Sequence, residues 1–228
     1  MRDTIKDSEY FKYYLDKQKT RLTFYKNKLP EIDTSKEKVM RSMKNAIFTI
    51  NFEILVARYS KGDDLKSIRA EYIKSIPAFK EALSDIIDMN TLQFIALAVL
   101  LNVNLFEDKE FLSLLDKFGV SHGIIDIFMN KGDAIDISSY KDIKQFRPWV
   151  AELYQKPYER ETIISKQLSN WYKSQRSSYF YGYDKEKEPL YFGYWALEIA
   201  ALVKVLNIPD DSFKDKKYYP YDLVHFGG

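Results

Sequence analysis

Along most of this chain apolar residues recur three and four positions apart, which is the spacing of one face of a helix. Between residues 3 and 28, Tyr10, Phe11, Tyr14, Leu15, Leu22 and Tyr25 follow that rhythm, and Leu29-Pro30 stops it. A second helix is expected from a cap at Thr34 or Ser35 through Met40, Ile47, Ile54 and Tyr59, closed by Gly62. An Asp in the following turn caps a third helix over 64–75, and Pro77 starts or kinks a fourth over 78–89. Thr91–Val103 reads as the most apolar helix, followed by 107–118, closed by Gly119, and a short one over 121–129. Further helices are expected over 139–154, 157–176, 192–207 and 211–215. No stretch alternates with period two; Ile135-Asp136-Ile137 and Phe180–Tyr183 could be short extended pieces. The pattern predicts an all-α bundle of about ten helices in two fused modules, 1–132 and 133–228, divided at Gly132-Asp133.

Composition sharpens this picture in two places. Eighteen Tyr and fifteen Phe among 228 residues give a core of large rigid rings whose hydroxyls all need partners. Eight Gly and seven Pro leave few turn punctuators, which favours helices over short strands. The absence of cysteine excludes disulfides, thiolate metal sites and cysteine nucleophiles, and it suits a reducing cytosol. The start Met1-Arg2-Asp3-Thr4-Ile5 has no apolar run of the secretory kind. The longest apolar stretch, Leu92–Phe106, carries Gln93, Asn102 and Asn104 and falls short of the roughly 20 residues that span a bilayer. A cytoplasmic protein with no membrane partner is therefore expected.

The net charge of +2 conceals an uneven distribution. Residues 1–60 hold 13 Lys/Arg against 8 Asp/Glu, residues 61–136 hold 8 against 13, and residues 137–228 hold 14 against 12. The middle third is thus the part that a cationic partner would prefer. Asp85, Asp88, Asp126, Asp133 and Asp136 are its candidate contact residues, and reversing the charge of Asp85, Asp88, Asp126 or Asp133 should weaken binding without loss of stability.

Chemistry-bearing motifs are scarce. There is no G-x-S-x-G, no glycine-rich phosphate loop and no H-E-x-x-H. The two histidines, His122 beside a helix start and His225 at a fraying C-terminus, have no companions at metal-ligand spacing. No catalytic residue, metal ligand or cofactor is indicated. Glu198 is the one carboxylate on the apolar 192–207 helix, one turn from Trp195 and Leu202. It reads as a structural carboxylate satisfied by Tyr hydroxyls or an Arg, with a catalytic acid as the alternative. The first helix interleaves Lys12, Lys17, Lys19, Arg21, Lys26 and Lys28 with tyrosines, a pattern that can bind single-stranded nucleic acid. Asp7, Glu9 and Asp16 interrupt it, so a nucleic-acid-associated protein, or an enzyme using Glu198, is the lesser reading.

Four stretches carry a resemblance to a known family. They are Arg2-Asp3-Thr4-Ile5 with Glu9-Tyr10-Phe11; Arg58-Tyr59-Ser60-Lys61-Gly62-Asp63-Asp64-Leu65; Tyr191-Phe192-Gly193-Tyr194-Trp195-Ala196-Leu197-Glu198; and Asp210-Asp211-Ser212 with Tyr218-Tyr219-Pro220-Tyr221-Asp222-Leu223. In this order they resemble the PoNi-type immunity proteins, which protect bacteria against PoNe-type polymorphic DNase toxins. The third and fourth stretches are the specific ones. The resemblance implies an all-α inhibitor without enzymatic activity. It would bind its cognate nuclease toxin in the cytoplasm of the producer and its kin, and would itself be a monomer or homodimer when free. Tyr191, Gly193, Tyr194, Trp195, Glu198, Tyr219 and Pro220 are the residue types of a core, so they are expected to build the fold rather than touch the toxin. Trp195→Ala is accordingly expected to unfold the protein, at about 3–5 kcal/mol for a buried aromatic. A sequence pI near 8.4 sits poorly with a purely acidic mimic of DNA and favours the 61–136 region as the contact.

Overall fold

The computed structural model describes residues 1–133 and 136–227, and among these there are eleven α-helices and no strand. The helices are α1 Ser8–Lys28, α2 Glu37–Lys61, α3 Leu65–Ala82, α4 Met89–Leu100, α5 Lys109–Lys117 and α6 Gly123–Met129. After these come α7 Lys141–Phe146, α8 Pro148–Gln155, α9 Arg160–Ser174, α10 Leu197–Val205 and α11 Tyr221–Val224. The fold is all-α, as the periodicity predicts.

Local chemistry sets most of the helix ends. Asp7, Asp64, Asp88 and Asp108 each accept a hydrogen bond from a backbone N–H in the first turn of α1, α3, α4 and α5, the bond that a helix N-terminus otherwise lacks. At the other end, Gly62 takes φ +98° after α2 and its N–H returns to the carbonyls of Arg58 and Tyr59. Asn102, Lys131 and Asn207 also adopt positive φ, after α4, α6 and α10. The next N–H in each case reaches back five residues: Val103 to Ala98, Gly132 to Ile127, Ile208 to Val203. These three helices end in the same six-to-one closure.

Several boundaries differ from the sequence reading, for identifiable reasons. Neither Thr34 nor Ser35 caps α2; its N-cap is Lys36, with no side-chain bond. Pro77 does not begin a new helix but lies inside α3. The carbonyl of Ile73 that loses its donor belongs to an exposed residue, so the cost is reduced. The helix expected over 139–154 is two, because Pro148 holds the preceding Arg147 out of helical geometry at φ −141°, ψ 51°, and then opens α8 as its first residue. Of the expected extended piece at 135–137, Ile135 lies outside the described residues, and Ile137–Ser139 is a 3₁₀ turn. The helix expected over 192–207 begins only at Leu197. Residues 191–196 are non-helical, with Gly193 at φ +122°. Finally α11, four residues after a proline, was too short to register as a period.

The helices form two compact units. One comprises Met1–Ser84 with Tyr179–Gly193, and the other Asp85–Ser178 with Tyr194–Gly228. These are not the sequential halves expected on either side of Gly132. In the first unit α2 packs against both α1 and α3, and Phe11, Tyr14, Phe52, Leu55, Ile68, Tyr72 and Phe79 are almost wholly buried. In the second, α4 and α10 pack together, and α6, α9 and α11 lie against α10. Nearly every residue of α4 and α10 is buried, which is why both read as apolar all round.

Gly62 shows how narrowly one turn is specified. A Cβ there would lie 2.9 Å from the Cα of Met1, in addition to demanding a left-handed backbone. Gly62→Ala should therefore destabilise the protein by more than the roughly 1–2 kcal/mol of the backbone conformation alone. Urea denaturation reads this as a lower midpoint at unchanged slope; an unmoved midpoint would contradict it.

Candidate functional site

In the first unit the N-terminal residues are tied into the α2–α3 turn and into segment 179–193. The N–H groups of Arg2 and Asp3 both donate to the carbonyl of Ser60, 3.1 and 3.0 Å away. The Arg2 guanidinium donates to the carbonyls of Tyr59 and Asp63 and lies 4.7 Å from the centre of the Tyr59 ring. Asp3 is buried, and its carboxylate accepts from the N–H groups of Ile5 and Lys6 and from the Tyr191 hydroxyl at 2.6 Å. The Tyr191 carbonyl accepts from Tyr10, and the Phe192 carbonyl from Ser60.

A few residues further along α2 sits a second buried carboxylate, which the sequence did not single out. Glu53 accepts hydrogen bonds from the hydroxyls of Tyr14 (3.0 Å) and Tyr179 (3.1 Å) and from the Gln18 amide (3.1 Å). Arg21 in turn donates to the side-chain Oε1 of Gln18. Burial outweighs these donors, so the Glu53 carboxyl titrates above its ordinary 4.5.

In the second unit Glu198, 3% exposed, accepts from the Trp171 indole N–H at 2.7 Å and from the Gln93 amide at 3.0 Å. It is a structural carboxylate, as preferred, but its donors are a tryptophan and a glutamine rather than tyrosines or an arginine. Trp171 is the buried tryptophan; Trp195 is half-buried. The expectation that Trp195 is a fully buried core residue is corrected accordingly. Tyr172, Tyr194 and Tyr218 pack ring to ring beside Trp171, and the carbonyl of Tyr218 accepts from the Ala196 N–H. A fourth buried carboxylate, Asp210, accepts from the Tyr219 hydroxyl at 2.7 Å and lies 3.0 Å from His225 Nε2. The C-terminal end is thus anchored rather than frayed. The Phe226 carbonyl also accepts from Asn102 and Lys204.

The donors to these four carboxylates come from their own unit, and the one imidazole beside them, the half-exposed His225, lies against Asp210. Among the described residues no group of three or more His, Asp or Glu could hold a metal ion. Nor is any described helix long and apolar enough to cross a membrane. The basic first helix is partly neutralised by the chain itself: Lys17 pairs with Glu188, Lys19 with Asp16 and Lys28 with Glu31.

The five candidate contact aspartates take different places. Asp85 and Asp88 are exposed at the approach to α4, where Asp88 is the N-cap. Asp126 is half-buried on α6 and accepts the Tyr140 hydroxyl. Asp133 and Asp136 are exposed after α6, and Asp136 accepts from Ser138. Reversing the charge of Asp88 would therefore also remove a cap worth about 1 kcal/mol, contrary to the expectation of unchanged stability.

Two family models match this chain. The one described as "PoNe immunity protein (PoNi), N-terminal" covers residues 2–113, and the one described as "PoNe immunity proteins (PoNi), C-terminal" covers residues 124–223. The chain belongs to the PoNi family. Its members are immunity proteins to PoNe DNase toxins. No curated protein and no solved structure matches it. In this PoNi protein several of the stretches that carry the resemblance lie at buried hydrogen-bonded joints. Arg2-Asp3, the Tyr59–Asp63 turn and Tyr191-Phe192 meet in the first unit. Glu198, Asp210 and Tyr219 are joints of the second.

Two measurements test this placement. Trp171→Phe keeps an aromatic ring but removes buried volume and leaves a Glu198 oxygen without its indole donor, and should cost at least about 1–3 kcal/mol; a stability equal to wild type would show the bond to be dispensable. Glu53 binds its proton more tightly folded than unfolded, so its contribution is fully present below the unfolded value near 4.5 and is lost as pH rises through the folded value. The stability of Glu53→Gln relative to wild type should accordingly rise with pH across that interval, read from urea midpoints at each pH. A pH-independent difference would contradict the raised value.

Proposed function

We propose that this PoNi protein binds the nuclease domain of its cognate toxin and holds it inactive by occupation, without enzymatic activity of its own, in the cytoplasm of the cells that make the toxin. The match of both family models, in order along the chain, carries this reading. The saturation of the buried carboxylates by hydrogen-bond donors supports it, since a general acid or base needs a side chain that faces a substrate. The acidic stretch 61–136 is suited to a nuclease, which must present cations to the phosphates it binds. Asp85, Asp126, Asp133 and Asp136 belong to the contact on this reading, with Asp88 serving both its helix and the partner field. The free protein is expected as a monomer or homodimer.

The test is co-purification with the toxin domain encoded beside it, followed by DNA degradation by that domain with and without the immunity protein. A stable complex that leaves DNA intact is expected; a folded protein that neither binds nor protects would refute the proposal.

A further inference from the structure

Within the second unit, α5 and α6 enclose a concavity of about 300 Å³, at the lower end of the size of binding pockets and suited to one long side chain rather than a cofactor. Leu112, Leu115, Val120 and Ile125 supply apolar walls, and Asp116 and Asp126 supply carboxylates. The His122 ring also lines it, 93% buried from solvent by its 7% exposure. His122 Nδ1 faces Asp142 Oδ2 at 3.3 Å, and Asp142 itself does not line the concavity. Burial, aided by nearby Arg147, holds the imidazole neutral, with its pKa pushed down to about 4 despite Asp142. The histidine therefore adds no positive charge to the concavity at neutral pH.

Met129, 37% exposed, borders this concavity and also a second one, about 570 Å³, walled by Val103, Phe106 and Phe128. Two lysines, Lys131 and Lys204, against one carboxylate, Glu107, line the second, whereas the first holds two carboxylates and no cation, so a cationic guest suits the first better. A methionine between two hollows is an adaptable apolar contact.

We propose that the α5–α6 concavity receives an arginine side chain from the DNA-binding surface of the toxin's nuclease domain, with Met129 as the apolar contact beside it. The proposal rests on the immunity reading above. The apolar walls accept the arginine stem, and the carboxylates of Asp116 and Asp126 accept its planar fork of N–H donors. Arginines that bind phosphate are what a DNA-binding surface offers, so filling this concavity removes a cation from the DNA contact. Asp126 thereby gains a defined role, whereas Asp116, outside the expected set, becomes its exposed companion.

The experiment measures affinity for the toxin's nuclease domain by calorimetry, with wild type, Asp116→Arg, Met129→Arg and, as a charge control on the other unit, Glu31→Lys. Melting temperatures confirm that each variant is folded. Asp116→Arg and Met129→Arg should each lower affinity at least about tenfold, as for a residue worth over 1.4 kcal/mol at an interface, while Glu31→Lys leaves it unchanged. Wild-type affinity for folded Asp116→Arg and Met129→Arg would overturn the proposal while leaving the immunity reading intact. Failure of wild type itself to bind would refute that reading instead. A DNA-competition arm tests the occupant: saturating catalytically inactive nuclease with the immunity protein should displace bound DNA. Continued DNA binding by the saturated complex would overturn the assignment to the DNA-binding surface.

Discussion

A carboxylate removed from water must be met by donors, and this requirement organises the molecule. Asp3, Glu53, Glu198 and Asp210 are all buried, and an isolated buried charge costs far more than a domain can spare. The chain meets them with aromatic donors: the hydroxyls of Tyr191, Tyr14, Tyr179 and Tyr219 and the indole of Trp171. An aromatic residue serves this purpose well because its ring fills core volume while its polar tip reaches the charge. The unusual abundance of tyrosine is thus partly a consequence of the buried carboxylates.

Several bonds to these carboxylates join segments that are remote along the chain. Tyr191 to Asp3 spans 188 positions, Tyr179 to Glu53 spans 126, and Gln93 to Glu198 spans 105. A hydrogen bond of this kind favours one arrangement of segments over others of similar apolar burial, because a misplaced segment leaves a charge unpartnered. The family motifs fall at these joints. On the function proposed above, recognition of a particular toxin falls to exposed residues instead.

That separation has a functional consequence. Immunity proteins must keep a common architecture and still discriminate among toxins, which is a difference of affinities built on exposed contacts. Residues such as Asp116 and Met129, exposed beside a concavity on short helices, can change without touching any of the four buried carboxylates.

The sequence by itself determined the helical class, the approximate place of most helices, the turns at Gly62 and Gly119, the burial of Glu198 and the family. These follow from local chemistry: apolar period, the αL tolerance of glycine, aspartate at helix starts and the order of motifs. Only the tertiary structure decided that Tyr179–Gly193 belongs with the first 84 residues and that Trp171 and Gln93, rather than tyrosines or an arginine, serve Glu198. It also decided that Glu53 is a buried carboxylate, on a helix whose period placed Ile47 and Ile54 but gave no sign of Tyr179. The concavity that joins Asp116 to Asp126 likewise exists only once α5 and α6 are packed. Periodicity reports which face of a helix avoids water, because that is a property of neighbours within a few residues. Which donor meets which acceptor depends on segments a hundred residues apart, and no local spacing records it.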